Sequence, residues 1–290
     1  MKLKPVIFTD LDGTLLDLQT YSYDRALPSI EYLRSQDIPI IFCSAKTKAE
    51  QEVYRKELQI NDPFIVENGG AIFISQGYFP FDFEYHKAKD GYLVIELGIP
   101  YDQIREILTQ IRDDTGVNFR GFGDMSAEEV ASLTSLTLEA AERAKAREYD
   151  ETLNLEGTPD KINKVLNAIK GEGLNYTSGS RYYDVTGPND KGKATGILID
   201  LFRRKSGKIR TIAIGDSPND LPMLSAVDTP VLLQKPVGTW EAIDIPNLCR
   251  VEGIGPEGWA RAVEEIIGQG IARSPENSIE SWSNSPQPLQ

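Results

Sequence analysis

Asp10 and Asp12, separated by one residue, close the apolar run Val6-Ile7-Phe8. On an extended chain, side chains two apart point to the same side, so both carboxylates face one spot. Gly13 lets the chain turn sharply, and Thr14 adds a small hydroxyl. Two such charges repel unless a cation or a shared proton intervenes. Asp216 and Asp220 follow a second apolar run, Thr211-Ile212-Ala213-Ile214. Aspartates also serve turns and caps through local hydrogen bonds, and that reading suits any one of the four alone. Four at strand ends, with Ser44 and Lys191, are harder to attribute to capping. Hard carboxylate oxygens with few other ligands suit Mg²⁺, which keeps several waters and a substrate phosphate oxygen. The single histidine, His86, and the remote cysteines Cys43 and Cys249 do not make a zinc site.

The elements that position these groups follow from the pattern. After the opening strand, Asp24 to Gln36 reads as a helix and Ile38 to Cys43 as a buried strand with Ser44 at its end. Thr47 and Glu50 form a capping box for a helix running to Leu58. Phe64-Ile65-Val66 is a third short strand, closed by Glu67-Asn68-Gly69-Gly70. Strand, helix, strand, helix, strand implies right-handed crossovers and a parallel sheet, whose ligands sit beyond the carboxyl ends of the strands. Asp10, Ser44 and Asn68 all lie at such ends.

From about Phe81 the character changes. Tyr92 to Glu96 reads as a strand, and Ile104, Ile107, Leu108 and Ile111 form a helical stripe. Helices over Ser126 to Leu133 and Leu138 to Ala146 precede an extended stretch, Glu148 to Glu156. A further stripe, Ile162, Val165, Leu166 and Ile169, leads to a hairpin whose arms are Leu174 to Tyr176 and Tyr182 to Val185. The βα rhythm resumes with a helix over Lys191 to Arg203, strands at 210–214 and 231–233, and a helix after Glu257. The expected fold is α/β: a Rossmann-like parallel-sheet core (1–81 and 186–272) with an inserted α+β cap (82–185). A Ser- and Pro-rich tail, 273–290, is expected to be disordered. Internal repeats are absent.

With 290 residues and 40% hydrophobic content, the chain can bury a sizeable core. Its formal charge of −13 argues against nucleic acid and anionic membrane surfaces as partners. A phosphorylated substrate would need a local nest of cations. There is no GxxxxGK loop, which speaks against a nucleotide-driven motor. No signal peptide or run of ~20 apolar residues occurs, and the sparse cysteines suit a reducing compartment, so a cytoplasmic monomer or homodimer is expected.

Asp10-Leu11-Asp12-Gly13-Thr14, Ser44 after a strand, Asn189-Asp190-Lys191-Gly192 and Gly215-Asp216-Ser217-Pro218-Asn219-Asp220 resemble the four motifs of the haloacid dehalogenase-like (HAD) phosphatases, in order. The insertion stands where that family carries its type IIB cap, and the resemblance covers Val6 to Gly270. Three longer stretches are similar to the mannosyl-3-phosphoglycerate phosphatases within it: Cys43 to Thr47, Asp62 to Phe73, and Ala146 to Glu151. Pro188 departs from the glycine-rich run expected before Asn189.

The resemblance implies that Asp10 attacks phosphorus to form an aspartyl-phosphate and that Asp12 is the acid/base. It also implies Mg²⁺ held by Asp10, the Asp12 backbone carbonyl and Asp216, with Ser44 and Lys191 on the phosphate. Asn219 and Asp220 would orient water ligands or Lys191. Lys193 is the rival of Lys191, and Asn68 serves either the site or a tight turn. Arg147 and Arg181 are candidates for gripping a glycerate carboxylate through a bidentate pair. Tyr182 and Tyr183 read as cap packing. The implied reaction is release of phosphate from mannosyl-3-phosphoglycerate, giving mannosylglycerate, a compatible solute. The glucosyl analogue, a broader sugar phosphatase, a phosphosugar mutase and a non-catalytic phosphosugar-binding regulator remain open.

Overall fold

The strand that carries Asp10, β1 (Lys4–Thr9), is buried throughout Val6–Thr9. Such a run needs cover on both faces, as helices on either side of a parallel sheet provide. In the computed structural model, residues 3–178 and 182–268 are described; Arg181 and the tail from 273 lie outside them. After β1 come α1 (Leu27–Ser35), which a 3-10 turn over Asp24–Ala26 introduces, and β2 (Ile40–Phe42). α2 (Lys48–Glu57) follows, with the expected capping box of Thr47 and Glu50 at its start. Next are β3 (Phe64–Val66), β4 (Ala71–Ser75), β5 (Lys87–Lys89) and β6 (Tyr92–Glu96).

The insertion supplies α3 (Tyr101–Thr115), β7 (Arg120–Gly121), α4 (Ala127–Thr134), α5 (Leu138–Lys145), β8 (Asp150–Asn154), α6 (Pro159–Gly171), β9 (Asn175–Ser178) and β10 (Tyr183–Thr186). The chain closes with α7 (Lys191–Ser206), β11 (Ile209–Gly215), α8 (Leu221–Ser225), β12 (Thr229–Gln234), β13 (Cys249–Ile254) and α9 (Gly255–Ile267). The core sheet is five-stranded and parallel, in the order β13-β12-β11-β1-β2. The expected α/β fold is borne out.

Two expectations need correction. β3 is not a full third parallel strand: it meets β2 through one parallel bridge, Cys43 to Ile65, and pairs antiparallel with β4. The reason is the turn between them. Glu67, Asn68 and Gly69 have φ of 48°, 54° and 87°, a left-handed run that reverses the chain where a parallel partner would need a long crossover. Tyr92–Glu96, assigned to the insertion from residue 82, instead pairs with β4, giving the order β3-β4-β6-β5. Asp90-Gly91, both at positive φ, make the tight hairpin that folds β5 and β6 back onto this sheet.

The insertion's own antiparallel sheet runs β7-β8-β10-β9. The stripes of α3 and α6 pack on it: Ile104, Leu108, Ile111, Val165, Leu166 and Ile169 are buried with Leu153 and Val185. Tyr182 and Tyr183 contact Phe122 and Tyr176. At the far end of the chain, α9 buries Trp259 completely, and its indole N–H donates to Thr9 Oγ1 at 2.9 Å. That satisfied indole fixes the residue beside Asp10.

Candidate active site

The register of β1 against β11 sets Thr9 beside Ile214, so Asp10 and the Gly215-Asp216 turn emerge together. Lys191, the first residue of α7, reaches into this end of the sheet. Its Nζ donates to Asp10 Oδ1 and to Asp220 Oδ1, both at 2.7 Å. Asp220 Oδ2 accepts the N–H groups of Asp216 at 3.0 Å and Ser217 at 3.1 Å. Thr14 Oγ1 donates to Asp216 Oδ1 at 2.9 Å. Gly13, at φ +80°, makes the turn and the room: a Cβ there would lie 2.9 Å from Asp216 Oδ2.

Carboxylate oxygens of Asp10, Asp216 and Asp220 lie within 4.8 Å of one another, all buried. Burial pushes the Asp10 carboxyl up to about 8; Lys191 pulls it down, while Asp220 and Asp216 add to the rise. Asp216 is pushed up to about 7 by burial and then by Asp220. Burial alone would lower Lys191, but Asp10 and Asp220 hold it well above the ordinary lysine value. Three carboxylates thus surround one ammonium, leaving buried negative charge that a further cation would balance.

The donor set fits Mg²⁺: hard oxygens, with Asp10 and Asp216 each engaging only Oδ1 in a hydrogen bond among the described residues. Asp220 has both oxygens occupied, so it acts through Lys191 and the turn. The Asp12 carboxylate lies outside this triad and turns to Lys46, which pairs with Asp12 Oδ2 at 3.0 Å and with Glu50 Oε1 at 3.3 Å. Asp12 Oδ1 is buried without a hydrogen-bond partner among the described residues.

Ser44 follows β2 and is 1% exposed. Its N–H donates to Ile65 O, its carbonyl accepts Asn68 N–H at 3.0 Å, and its Oγ accepts Lys46 N–H at 3.3 Å. It does not cap α2; Thr47 does. Lys193, the rival of Lys191, is exposed, with its ammonium on the Pro188 carbonyl and 3.6 Å from Asp190.

Asn68 and Asn219 are brought together, with Asn219 Nδ2 donating to Asn68 Oδ1 at 3.3 Å. Asn68 Nδ2 reaches across to the insertion, to Asp184 at 3.4 Å and Asp150 at 3.5 Å. Arg147 lies on the insertion's inner side, bonded to Asp150 Oδ1 and to Ala45 O, with its guanidinium 5.8 Å from the Phe122 ring. The second arginine candidate, Arg181, lies outside the described residues.

Sequence reasoning missed Lys46, Glu67, Asp150 and Asp184. Lys46 had a signal, since a lysine two residues past a strand-end serine and four before a glutamate is placed to serve both ends. Asp150, three residues after Arg147, had only that spacing, and Glu67 and Asp184 had none, because they meet Asp150 and Asn68 across remote segments. Cavities of about 410 Å³, lined by Phe119, Met125 and Leu133, and of about 300 Å³, beside Tyr149, lie away from Asp10. Asp10 itself is only 4% exposed.

This arrangement of strand-end carboxylates around a helix-borne lysine is accompanied by a family match. The profile of the haloacid dehalogenase-like hydrolases matches residues 7–235, and the chain belongs to that family. Within it, the chain is similar to a glucosyl-3-phosphoglycerate/mannosyl-3-phosphoglycerate phosphatase of Methanococcoides burtonii, 48% identical over 268 residues, 92% of this chain and 98% of that protein. It is also 46% identical over 223 residues to a mannosyl-3-phosphoglycerate phosphatase of Pyrococcus horikoshii, covering 77% of this chain and 88% of that one. A solved HAD subclass IIB sugar phosphatase superposes with a TM-score of 0.59 at 18% identity, over 90% of this chain and 97% of its own, a likeness of fold.

Proposed function

We propose that this hydrolase cleaves the phosphate monoester of glycosyl-3-phosphoglycerates, with mannosyl and glucosyl forms both as substrates, releasing inorganic phosphate and the glycosylglycerate. The observation that carries the reading is the Lys191 ammonium shared between Asp10 and Asp220 at 2.7 Å each, with Asp216 alongside. The likeness to a relative named for both substrates supports the choice of sugar.

In this reading, Lys191 opposes the burial that favours the neutral Asp10 acid, and a cation held beside it would complete the ionisation of the nucleophile. A carboxylate oxygen of Asp10 bonds to phosphorus as the bond to the glycerate oxygen breaks, and Asp12 protonates that leaving oxygen. Water then attacks the aspartyl-phosphate, gives its proton to Asp12, and phosphate departs with Asp10 restored. Lys46 orients Asp12 from its other side. Ser44 donates a hydrogen bond to a phosphate oxygen. Asp10, Asp216 and the Asp12 backbone carbonyl would hold Mg²⁺, whose charge would offset the repulsion between the nucleophile and the phosphate dianion. The segment between Ile99 and Thr186 covers the site and selects the substrate, with Arg147 facing the glycerate carboxylate. No helix among the described residues is long and apolar enough to cross a membrane, and the free Cys43 and Cys249 suit a reducing cytoplasm.

The test is phosphate release from mannosyl- and glucosyl-3-phosphoglycerate, with and without Mg²⁺. Release from both, lost in Asp10→Asn, is expected. Isomerised sugar phosphate with little free phosphate would replace this reading with a mutase. No phosphate release from any monoester by the parent with Mg²⁺, with Asp10→Asn behaving identically, would replace it with a binding protein.

A further inference from the structure

Where α5 ends, residues 146–149 are irregular before β8 begins; the N–H groups of Ala146 and Arg147 bond locally to Arg143 O and Lys145 O, and those that follow need other acceptors. The acceptor comes from the other side of the molecule. Glu67, fully buried, takes the N–H of Glu148 at 3.0 and 3.1 Å, of Tyr149 at 2.6 Å and of Asp150 at 2.9 Å. Three successive amides converge on one carboxylate, an anion nest supplied by the insertion and filled by the core. Glu67 is aimed there by the left-handed run through Glu67 and Asn68, a conformation unfavourable for non-glycine residues that the surroundings must impose.

The same turn is tied back to the catalytic loop, with Glu67 N–H on Lys46 O at 3.2 Å and Asn68 N–H on Ser44 O at 3.0 Å. On the insertion side, Tyr149 fits against Gly70, where any side chain would collide with it. Its hydroxyl donates to Glu96 at 2.7 Å and accepts from Lys87 at 3.0 Å. Tyr101 N–H bonds to Glu148 O, which places this segment against the first crossover into the insertion.

We infer that Glu67 is a positioning residue: its clasp on the 148–150 amides makes that segment a third attachment of the insertion to the core and sets Arg147 and Asp150 over the site. The claim about substrate rests on the function proposed above, whereas the clasp itself does not. A neutral amide is a poorer replacement: its oxygen could take the Oε2 place where the three amides converge, but without the negative charge, and its NH₂ would face the Glu148 N–H that Oε1 also accepts.

Hydrogen exchange on the full-length protein tests the clasp directly. In Glu67→Gln, the amides of 148–150 are expected to exchange on the order of tenfold faster or more, as charge-assisted bonds are lost, while β1 and β11 keep their protection. Tyr149→Phe, which removes the hydroxyl bonds but not the clasp, is expected to leave those amides protected. Unchanged protection in Glu67→Gln, or a rise that includes β1 and β11, overturns the inference. In parallel, kcat/KM for mannosyl-3-phosphoglycerate is expected to fall about tenfold more than that for p-nitrophenyl phosphate. Equal falls overturn the positioning role. Absence of mannosyl-3-phosphoglycerate turnover in the parent protein would remove the substrate reading, and the exchange result would still decide the clasp.

Discussion

Two buried cations, Lys191 and Arg147, each sit among carboxylates, and they are held in different ways. Lys191 is 1% exposed, with Asp10 and Asp220 at equal distances, and every partner belongs to elements abutting one parallel sheet. The Arg147 side chain is also buried, but Asp150 is from its own segment, Ala45 O and the nearby Glu67 and Glu50 are from the core, and its Nε has no hydrogen-bond partner among the described residues. The protein members of the first cluster all come from one body, the core. The second spans two bodies and retains an unmet donor, as suits a group that rearranges when a ligand arrives. On the proposed function, reaction and recognition would fall to separate charge clusters, one fixed and one adjustable.

The comparison breaks first at Asp10. Asp10→Asn is expected to reduce phosphate release by ~10⁴-fold or more, because the nucleophile is lost. Chelation by EDTA is expected to do the same and to be reversed by Mg²⁺. Activity persisting in the chelated enzyme would remove the metal from the fixed cluster, and measured phosphate release decides both.

The next contrast sets stability against activity. Lys191→Met leaves Asp10 and Asp220 buried without their cation, and about 3–5 kcal/mol of destabilisation is expected in denaturant unfolding. Arg147→Met removes a cation whose carboxylate neighbours keep other partners, Asp150 with Asn68 Nδ2 and Glu67 with the 148–150 amides. A smaller loss, about 1–3 kcal/mol, is expected, together with a 10- to 100-fold loss in kcat/KM carried mainly by KM. If both variants lose stability equally, the distinction between fixed and adjustable clusters fails.

How these clusters read from the sequence follows the same division. Asp10, Asp216 and Lys191 were legible because strand ends and a helix start fix their places, and β1 and β11 are unmistakable apolar runs. Ser44 was legible for the same reason. The β3–β4 turn was not: Glu67-Asn68-Gly69-Gly70 suits any tight turn, and only the left-handed run decides for a hairpin. β13 escaped notice because its residues, Cys249–Ile254, are mostly exposed and carry Arg250 and Glu252. β7, two residues long, has no periodicity to detect. The second cluster was legible only at Arg147. Glu67 and Asp184 join it through contacts with Asp150 and Asn68 that are 83 and 116 residues apart, which no local pattern encodes, whereas Asp150 stands only three residues from Arg147.

The smallest effect lies within the insertion, where a third charged group bears on neither cluster and serves as a control. Burial alone would raise Asp124, but the Arg105 hydrogen bond and the Gly121 N–H outweigh it and hold the carboxyl down to about 2. A folded pKa below the unfolded value means that the contribution is fully present above the ordinary aspartate value of 3.8. It disappears as pH falls from there through about 2. Partial exposure screens the pair, so about 1 kcal/mol or less is at stake. Asp124→Asn is expected to flatten the acid limb of stability between those two pH values and to leave phosphate release at neutral pH within about twofold of the parent. Chemical denaturation across that window measures the first and a phosphate assay the second. A large loss of activity would show that the insertion's outer charges reach the site, and recognition could then no longer be assigned to the Arg147 cluster alone.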